Sequence, residues 1–370
     1  MENKTGYRDL DLKRMHFCFV GNMLGHHEKY VTTQGQIVAD LFAREGYQVT
    51  RVSSKINRVA RLFDTVQRLI RGFRTFDMVI LDAYSGMNVI TADITGWLCN
   101  RLKIPLVMVL RGGNFPKFIE KYPRWTKRVL NRADHLVAPS SYLAEKIGVW
   151  GYEIEVIPNV IDLENYAYRE RSKIPPRLIW MRSFNHLYNP EMAIKVLARL
   201  KESEPQATLV MAGADKGLED EIKKMTEEMG LSDSVRFAGF LDLKKKIREF
   251  SEADIYLNTN RIDNMPVSVV EARALGLPVI ATDVGGLPYL IKHGENGLLV
   301  PSDDVDSMVE NVKLLLNDPE LTRKISQNGR EIAERSAWTS VRKELEAMIK
   351  RVLGKKSTEN KVSLLEKQTT

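Results

Sequence analysis

Short apolar runs alternate with amphipathic stretches along almost the whole chain. The runs are rich in β-branched side chains and are typical of buried strands, whereas the stretches between them carry apolar residues at helical spacing. Strands are predicted at residues 16–20, 47–52, 78–81, 106–110 and 135–138, and then at 178–180, 208–211, 235–237, 255–257, 279–281 and 298–300. Helices are predicted between them, at 33–44, 56–73, 87–102 and 118–131, and then at 191–201, 218–229, 243–250, 267–275, 305–317 and 320–335.

This alternation predicts the fold class and the domain organisation. Strand–helix–strand repeats form right-handed crossovers and parallel sheets, and eleven strands exceed what one open sheet usually carries. We therefore expect an α/β protein with two Rossmann-like, doubly wound domains. Because such sheets bind ligands at the carboxyl ends of their strands, the two would face a central cleft and each hold one substrate.

A polar, proline-containing segment at residues 162–176 interrupts the pattern. We place the N-terminal acceptor-binding domain at residues 1–165 and the C-terminal donor-binding domain at 166–340. Residues 341–370 would continue as a helix to about residue 353 and end in a polar, frayed tail.

Composition narrows the cellular context. The first fifteen residues are polar and lack the apolar core of a signal peptide, and the longest apolar run, 104–110, is far shorter than the roughly 20 residues that span a bilayer. Cys18 and Cys99 lie in apolar segments without metal or disulfide spacing, which favours reduced core thiols. We expect a cytoplasmic protein.

Charge is distributed unevenly between the two halves. The net charge is +7, but residues 1–150 hold 23 Lys and Arg against 13 Asp and Glu, or +10, which leaves −3 for the remainder. A basic first half indicates an anionic partner. Nucleic acid, an anionic membrane and an acidic acceptor all fit the charge alone.

The start of the helix predicted at 267–275 has the features of an anion site. A polar loop follows a strand, and Pro266 stands where a helix can begin. Backbone amides at a helix start bind anions without a charged side chain. Here those amides would belong to Val267, Ser268 and Val269.

Side chains for a nucleotide sugar surround this helix start. Glu271 lies one turn into the helix and could accept hydrogen bonds from ribose hydroxyls, while Asp263 and Asn264 lie in the loop, where a carboxylate could reach a sugar hydroxyl. Gly285 and Gly286 would turn the next strand end toward the same ligand. Each feature alone is equally consistent with a solvated helix and ordinary turns, and only their combination favours a ligand site.

These motifs resemble the carboxyl-terminal signature of the family-4 retaining glycosyltransferases. The resemblance covers most of the second half and is carried by Asp263-x7-Glu271, Gly276-Leu277-Pro278-Val279-Ile280, Gly285-Gly286, Asn296-Gly297-Leu298-Leu299-Val300 and Ser336-Ala337-Trp338. It implies the two-domain GT-B fold and transfer with retention at the anomeric carbon. It also implies a nucleotide diphosphate sugar donor, such as a UDP- or GDP-sugar, and no required metal or other cofactor.

The resemblance also implies roles for individual residues. Glu271 would bind the ribose, Asp263 the hexose hydroxyls, and the amides at 267–269 the diphosphate. Arg182 resembles the family's diphosphate-binding arginine and would offset the charge of the leaving group. The chain departs from the family pattern at three positions, so the identity of the hexose stays undetermined. Asp263 replaces the usual glutamate, and Tyr289 replaces an acid. The lysine that usually follows the arginine is missing, and His186, Tyr188 or the backbone would take its place.

Glycine-rich strand ends in the first half suggest the acceptor side. The resemblance makes the loop that contains Gly25, together with Gly35 at the next helix start, the expected floor for the transferred sugar. Arg111, Gly112 and Gly113 follow the fourth strand and would approach an anionic or hydroxyl-rich ligand, although a simple turn fits too. The pair His26-His27 has no third ligand at metal spacing, so we expect solvated histidines and no metal.

Two basic stretches, residues 55–74 and 117–132, bear on the partner. An ordinary crossover helix, with its apolar side in the core and its arginines in water, explains each of them. Their occurrence together in the acceptor domain favours contact with the inner face of an anionic membrane and a lipid-linked or glycan acceptor.

Four other functions compete with a transferase. A dehydrogenase needs an acid at the end of the second strand, where this chain has Val52-Ser53-Ser54, and a nucleic-acid binder needs interleaved stacking aromatics, which the basic half lacks. A GT-B relative such as a sugar-nucleotide epimerase stays open, as does a non-catalytic sugar-nucleotide-binding partner. The two acids at 263 and 271 speak against the last of these.

Overall fold

The computed structural model describes residues 11–25, 27 and 30–368, with side chains to residue 356. It divides into two compact units, Met1–Val160 with Trp338–Thr370, and Ile161–Ala337. We predicted changes of domain after residues 165 and 340. The chain instead changes unit after Val160 and again after Ala337, and the final helix belongs to the first unit.

The first unit contains six parallel strands in the order β2-β1-β3-β4-β5-β6. They are β1 His16–Val20, β2 Gln48–Val52, β3 Met78–Ala83, β4 Leu106–Leu110, β5 His135–Ala138 and β6 Glu155–Val156. The order reverses at β1, which pairs with β2 on one side and with β3 on the other. Ligands of doubly wound sheets bind beside such a reversal, at the carboxyl ends of the strands.

Helices cover this sheet. They are α1 Gln34–Arg44, α2 Arg58–Gly72, α3 Val89–Leu102, α4 Phe115–Lys121, α5 Pro123–Leu130, α6 Ser141–Gly148 and, after the second unit, α14 Trp338–Gln368. Side-chain caps set where several begin: the Asn57 carboxamide accepts hydrogen bonds from the amides of Val59 and Ala60 at the start of α2.

The second unit repeats the plan with the strand order β12-β11-β10-β7-β8-β9. Its strands are β7 Arg177–Met181, β8 Thr208–Ala212, β9 Val235–Gly239, β10 Ile255–Asn258, β11 Val279–Thr282 and β12 Leu298–Val300. Its helices are α7 Pro190–Lys201, α8 Glu219–Glu228, α9 Leu243–Glu252, α10 Val267–Ala274, α11 Leu287–Leu290, α12 Val305–Asn317 and α13 Pro319–Arg335. The reversal lies at β7, between β8 and β10.

The predicted strands are all present, and the α/β class is confirmed. The two-residue β6 was missed because so short a run has no periodicity, and the short helices α6 and α11 were missed as well. The helix predicted at 118–131 is two helices, because Pro123 begins α5 and Tyr122 before it is not helical. The end of the chain, predicted to fray, continues α14 to Gln368.

Both sheets are buried on two faces, as parallel sheets require. Every residue of β3 and of β10 is buried. One side of the first sheet packs against α1 and α14 in a single apolar cluster that includes Phe42 and Trp338. The final helix therefore completes the core of the first unit.

Candidate functional site

Arg182 and Asp263 meet at the strand reversal of the second unit. Arg182 directly follows β7 and Asp263 lies in the loop after β10, and their Nη2 and Oδ2 atoms are 2.5 Å apart. The Asn260 amide donates to the same carboxylate oxygen at 2.6 Å, and the guanidinium of Arg182 lies 3.9 Å from the ring centroid of Tyr188. Two of the residues predicted for the donor are thus in direct contact.

The surroundings keep Arg182 charged. Burial lowers the pKa of its guanidinium, but the carboxylate of Asp263 and the neighbouring tyrosines raise it by more, so the net shift is upward. Its Nε is buried and has no hydrogen-bond partner among the described residues. A buried donor without an acceptor lowers the stability of the fold. This N–H is therefore suited to donate a hydrogen bond to an anionic oxygen of a ligand.

The glycine pair fits closely against the loop that carries Asp263. A Cβ on Gly285 would lie 2.1 Å from the Asp263 carbonyl oxygen, and one on Gly286 would lie 1.9 Å from that of Asn264. The Gly286 amide also donates to the Asp263 carbonyl at 3.0 Å. We predicted that these glycines approach a ligand, and the contact that the structure shows is with residues 263 and 264.

The first turn of α10 presents part of the predicted anion site. Pro266 caps the helix, and the Val269 amide donates to the Pro266 carbonyl at 3.1 Å. The amides of Val267 and Ser268 precede any helical carbonyl that could accept from them. Two of the three predicted amides therefore have no acceptor within the helix.

Glu271 is buried on α10, and its Oε1 has two partners. The Tyr166 hydroxyl donates to it at 2.8 Å, and Lys246 of α9 forms an ion pair with it. Burial and the nearby charge of Glu271 raise the pKa of Tyr166, so this phenol stays a donor. The two partners hold the carboxylate in one orientation.

Of the two side chains suggested for the missing lysine, only Tyr188 contacts Arg182. His186 is exposed, with its Nδ1 3.6 Å from a Glu191 oxygen. A lysine that the sequence did not single out, Lys246, pairs with Glu271. The sequence pattern of α9 did not distinguish this lysine from solvent-exposed residues. Nothing in the sequence indicated Tyr166 either, which lies in the connecting segment before β7.

Arg111 of the first unit is fixed by two side chains at the carboxyl edge of the sheet. Its Nε donates to Oδ1 of Asp82 at 2.8 Å, and its Nη1 donates to Oδ1 of Asn159 at 2.8 Å. The Asp82 and Arg111 side chains are only 3% and 11% exposed. The second Nη of Arg111 has no hydrogen bond among the described contacts.

Asp82 is also the reason that a glycine, Gly35, stands at the start of α1. A Cβ on Gly35 would lie 2.0 Å from Oδ2 of Asp82, and this buried oxygen accepts no hydrogen bond in the described part of the chain. The sequence motifs did not point to Asp82, although an aspartate near the end of an otherwise apolar strand was a usable signal.

The remaining glycines predicted for the acceptor make tight turns. The Gly25 amide donates to the side-chain oxygen of Gln36 at 2.8 Å, and a Cβ on Gly112 would lie 3.1 Å from the Ser85 hydroxyl. Gly113 lies in the turn before α4. Gly35 and Arg111 therefore both lie against Asp82. Gly25 lies against Gln36 instead, and Gly112 against Ser85.

The histidine pair is only half described. His26 lies outside the described residues, and Nε2 of His27 is 3.0 Å from the Ser54 carbonyl. Among the described residues, no three His, Cys, Asp or Glu side chains are grouped as metal ligands would be. Within the same residues, no helix combines the length and apolarity needed to cross a bilayer.

Comparison with known proteins identifies the family. The sequence profile of "Glycosyl transferases group 1" matches residues 167–332, and that of "Glycosyltransferase Family 4" matches residues 24–165. The chain belongs to the family-4, group 1 glycosyltransferases. The resemblance carried by the motifs of the second half is thereby confirmed.

Curated relatives of this glycosyltransferase chain are moderately similar to it. EpsD of Bacillus subtilis (strain 168), a glycosyltransferase by provisional assignment, is 32% identical over 173 residues, which cover 46% of this chain and 44% of EpsD. The D-inositol 3-phosphate glycosyltransferase of Streptomyces bingchenggensis (strain BCW-1) is 24% identical over 234 residues, 57% of this chain and 51% of the relative. The chain spans about half the length of the curated relatives it matches.

Solved structures show that the glycosyltransferase has the GT-B fold. Sucrose-phosphate synthase from Thermosynechococcus elongatus matches with a TM-score of 0.76 and 17% identity, covering 92% of this chain and 100% of that one. HepE of Anabaena, solved with UDP and glucose, matches with a TM-score of 0.70 and 18% identity, covering 90% and 99%. At these identities the likeness extends to the fold alone.

Proposed function

We propose that this chain is a retaining glycosyltransferase. It moves a hexose-type sugar from a nucleotide diphosphate sugar to a hydroxyl of a glycan or lipid-linked acceptor, in the synthesis of cell-surface polysaccharide or glycolipid. The observation that carries the proposal is the grouping of Arg182, Asp263 and Glu271 around the start of α10, at the strand reversal of the second unit. Their chemistry matches the three parts of such a donor.

Each part of the donor has its own partner in the proposed complex. The carboxylate of Glu271, oriented by Tyr166 and Lys246, accepts hydrogen bonds from the ribose hydroxyls. The diphosphate lies against the amides of Val267 and Ser268, where a helix start favours anions. A UDP- or GDP-sugar would satisfy these contacts, and the UDP complex of HepE supports the former.

Arg182 and Asp263 would exchange partners when the donor binds. In the unliganded pair each neutralises the other. A diphosphate oxygen at the free Nε of Arg182 would share the positive charge, and Asp263 would turn to accept from hexose hydroxyls. As the bond to the anomeric carbon breaks, negative charge grows on the diphosphate, where Arg182 and the α10 amides stabilise it. This scheme gives metal ions no role.

The acceptor hydroxyl attacks on the same face as the leaving diphosphate in this proposal. One diphosphate oxygen takes the proton of that hydroxyl while the bond to the anomeric carbon breaks, so the sugar is transferred with retention and without a protein nucleophile. Arg111 of the first unit, with Gly35 beside it, would contact the sugar or the acceptor. We place the reaction at the cytoplasmic face of a membrane, with the enzyme bound peripherally.

Release of free nucleotide from a panel of UDP- and GDP-sugars tests this proposal. The full chain, incubated with a membrane lipid extract, should release one nucleotide and form a product whose anomeric configuration in NMR matches that of the donor. Asp263→Asn should lower kcat/KM by about 10–100-fold, since a hydrogen bond to a charged group contributes about 1.5–3 kcal/mol. Asp303→Asn, at a half-exposed pair with Arg261, is the matched control. An inverted product, an epimerised donor without transfer, or equal turnover by Asp263→Asn would contradict the proposal.

A further inference from the structure

Helix α2 carries apolar side chains that stay exposed to solvent in the described part of the structure. Val59, Phe63 and Ile70 are 64%, 71% and 50% exposed, and on a helix with 3.6 residues per turn they point within about 40° of one another. Ile56 before the helix and Phe73 after it are also exposed. We call Val59, Phe63 and Ile70 the α2 stripe.

The α2 stripe adjoins the side of the helix that packs on the sheet, and its three side chains stay outside the core cluster. Thr65 and Leu69 are buried, and Leu69 and the half-buried Val66 belong to a core cluster of the first unit. An ordinary crossover helix, with all of its apolar residues in the core, therefore describes α2 only in part. Exposed large apolar side chains in a row mark an interaction surface.

The charge around the α2 stripe favours an anionic partner. Residues 55–74 contain six Lys and Arg and one Asp, which gives a net charge of +5. The single acid, Asp64, pairs with Arg68 at 3.0 Å. Arg58, Arg71 and Arg74 are exposed, so the apolar stripe and the cations are presented to solvent together.

The second basic stretch differs from α2. Phe118 and Ile119 of α4 and Val129 and Leu130 of α5 are buried in the core of the first unit. Asp93 pairs with both Arg128 and Arg132 at 2.5 Å. The apolar residues of this stretch stabilise the fold, and part of its charge is neutralised.

We propose that the α2 stripe inserts into the interfacial region of an anionic membrane. A helix with large apolar side chains on one side and arginines beside them lies in the interface, held by apolar burial and by attraction to anionic headgroups. The sequence alone pointed to both basic stretches and to their charge, whereas the structure assigns insertion to α2 and names the inserting side chains.

The start of α2 is tied to the loop that follows β1 in the same unit. Arg61 donates to the carbonyls of Lys55 and Ile56 at 2.9 Å and to the side-chain oxygen of Asn22. The beginning of α2 therefore lies next to the loop that contains Gly25, although Arg61 points about 160–200° around the helix from the α2 stripe. If the proposed function holds, a membrane held at the α2 stripe keeps a lipid-linked acceptor close to the first unit.

Vesicle co-sedimentation of the full chain tests the insertion. The protein should pellet with vesicles of phosphatidylcholine and phosphatidylglycerol and much less with phosphatidylcholine alone. Replacing the stripe by Val59→Ser, Phe63→Ser and Ile70→Ser together should weaken binding about tenfold or more, because burying even part of three such side chains contributes over 1.4 kcal/mol. Val149→Ser, at a residue 79% exposed in the same unit, should bind normally.

A label at the stripe separates insertion from simple attraction. Cys18 and Cys99 are buried, so a polarity-sensitive fluorophore on Phe63→Cys reports residue 63. Its emission should shift to the blue with anionic vesicles, and the same label on Val149→Cys should not shift. An unshifted label, equal binding by the triple serine variant, or a dimer that the triple variant dissolves would each overturn the proposal.

Nucleotide binding distinguishes this proposal from the proposed function. The triple serine variant should keep the melting temperature of the parent and its stabilisation by nucleotide, since the donor residues belong to the second unit. If the parent binds vesicles through the stripe but no nucleotide stabilises it, the function fails and the membrane surface stands. If nucleotide stabilises the parent but the triple serine variant binds vesicles as the parent does, the membrane proposal fails and the proposed function stands.

Discussion

At the scale of single residues, the buried pair of Asp82 and Arg111 should determine the stability of the first unit. Asp82→Asn keeps the shape of the side chain but leaves the Arg111 guanidinium without its carboxylate. Removing one partner of a buried ion pair typically costs 3–5 kcal/mol, and we expect a loss of about 3 kcal/mol in the free energy of unfolding. Urea unfolding followed by circular dichroism measures it.

Asp40→Asn is the control for this prediction. Asp40 pairs with Arg51 at 2.5 Å in the same unit, but their side chains are 41% and 30% exposed, so its replacement should cost less than about 1 kcal/mol. Equal losses of unfolding free energy in the two variants would show that burial does not make the Asp82–Arg111 pair more stabilising than the exposed pair.

The sequence predicted some site residues and not others for a physical reason. Asp263 and Glu271 could be found because a strand end, a loop and a helix start follow one another along the chain. Asp82, Lys246 and Tyr166 act through partners 25 or more residues away. Only the folded sheet brings such residues together.

At the scale of elements, the Gly285–Gly286 turn should control the loop that holds Asp263. Gly285 has a φ of +56° and no room for a Cβ, whereas Gly294 has a φ of +73° and no atom within 4 Å of the place where a Cβ would lie. Gly285→Ala should displace residue 263 and weaken the binding of a nucleotide sugar, whose hexose Asp263 is proposed to hold, while Gly294→Ala should bear only the backbone cost of about 1 kcal/mol. Isothermal titration of both variants with the nucleotide sugar compares them, and equal affinities would contradict the packing role.

Helix α2 shows what periodicity reveals and what it omits. The spacing of apolar residues correctly predicted a helix at residues 56–73, because that spacing matches the helical repeat. It could not show that Val59, Phe63 and Ile70 remain exposed while Leu69 is buried, since the stripe and the packed side adjoin on one helix. Which side packs is decided by α3 and the sheet.

At the scale of the whole molecule, the return of the chain to its first unit should be essential to that unit. Trp338 is 4% exposed, its ring centroid lies 5.3 Å from that of Phe42, and its indole N–H donates to Glu45 at 3.1 Å. Trp338→Ala should destabilise the first unit by about 3–5 kcal/mol. Trp97→Ala, at an exposed position of the same unit, should change stability by about 0.5 kcal/mol. Urea unfolding of both variants decides, and identical midpoints would contradict the assignment.

The two sheets could be predicted from the chain, but the membership of its last segment could not. Alternating strands and helices indicate parallel sheets wherever they occur. Nothing in the pattern of residues 338–353 says which sheet their apolar side will cover, and the predicted boundary after residue 340 followed sequence order. The packing of Trp338 against Phe42 assigns the segment to the first unit.

The central claim is that Glu271 and the start of α10 bind a nucleotide diphosphate, and calorimetric titration of the full chain with UDP and with GDP tests it most directly. One nucleotide should bind, and Glu271→Gln should weaken it about 10–100-fold, because the charged acceptor for the ribose is lost. Glu310→Gln on the exposed side of α12 should bind as the parent does. Binding of neither nucleotide, or unchanged affinity in a folded Glu271→Gln variant, would contradict the account.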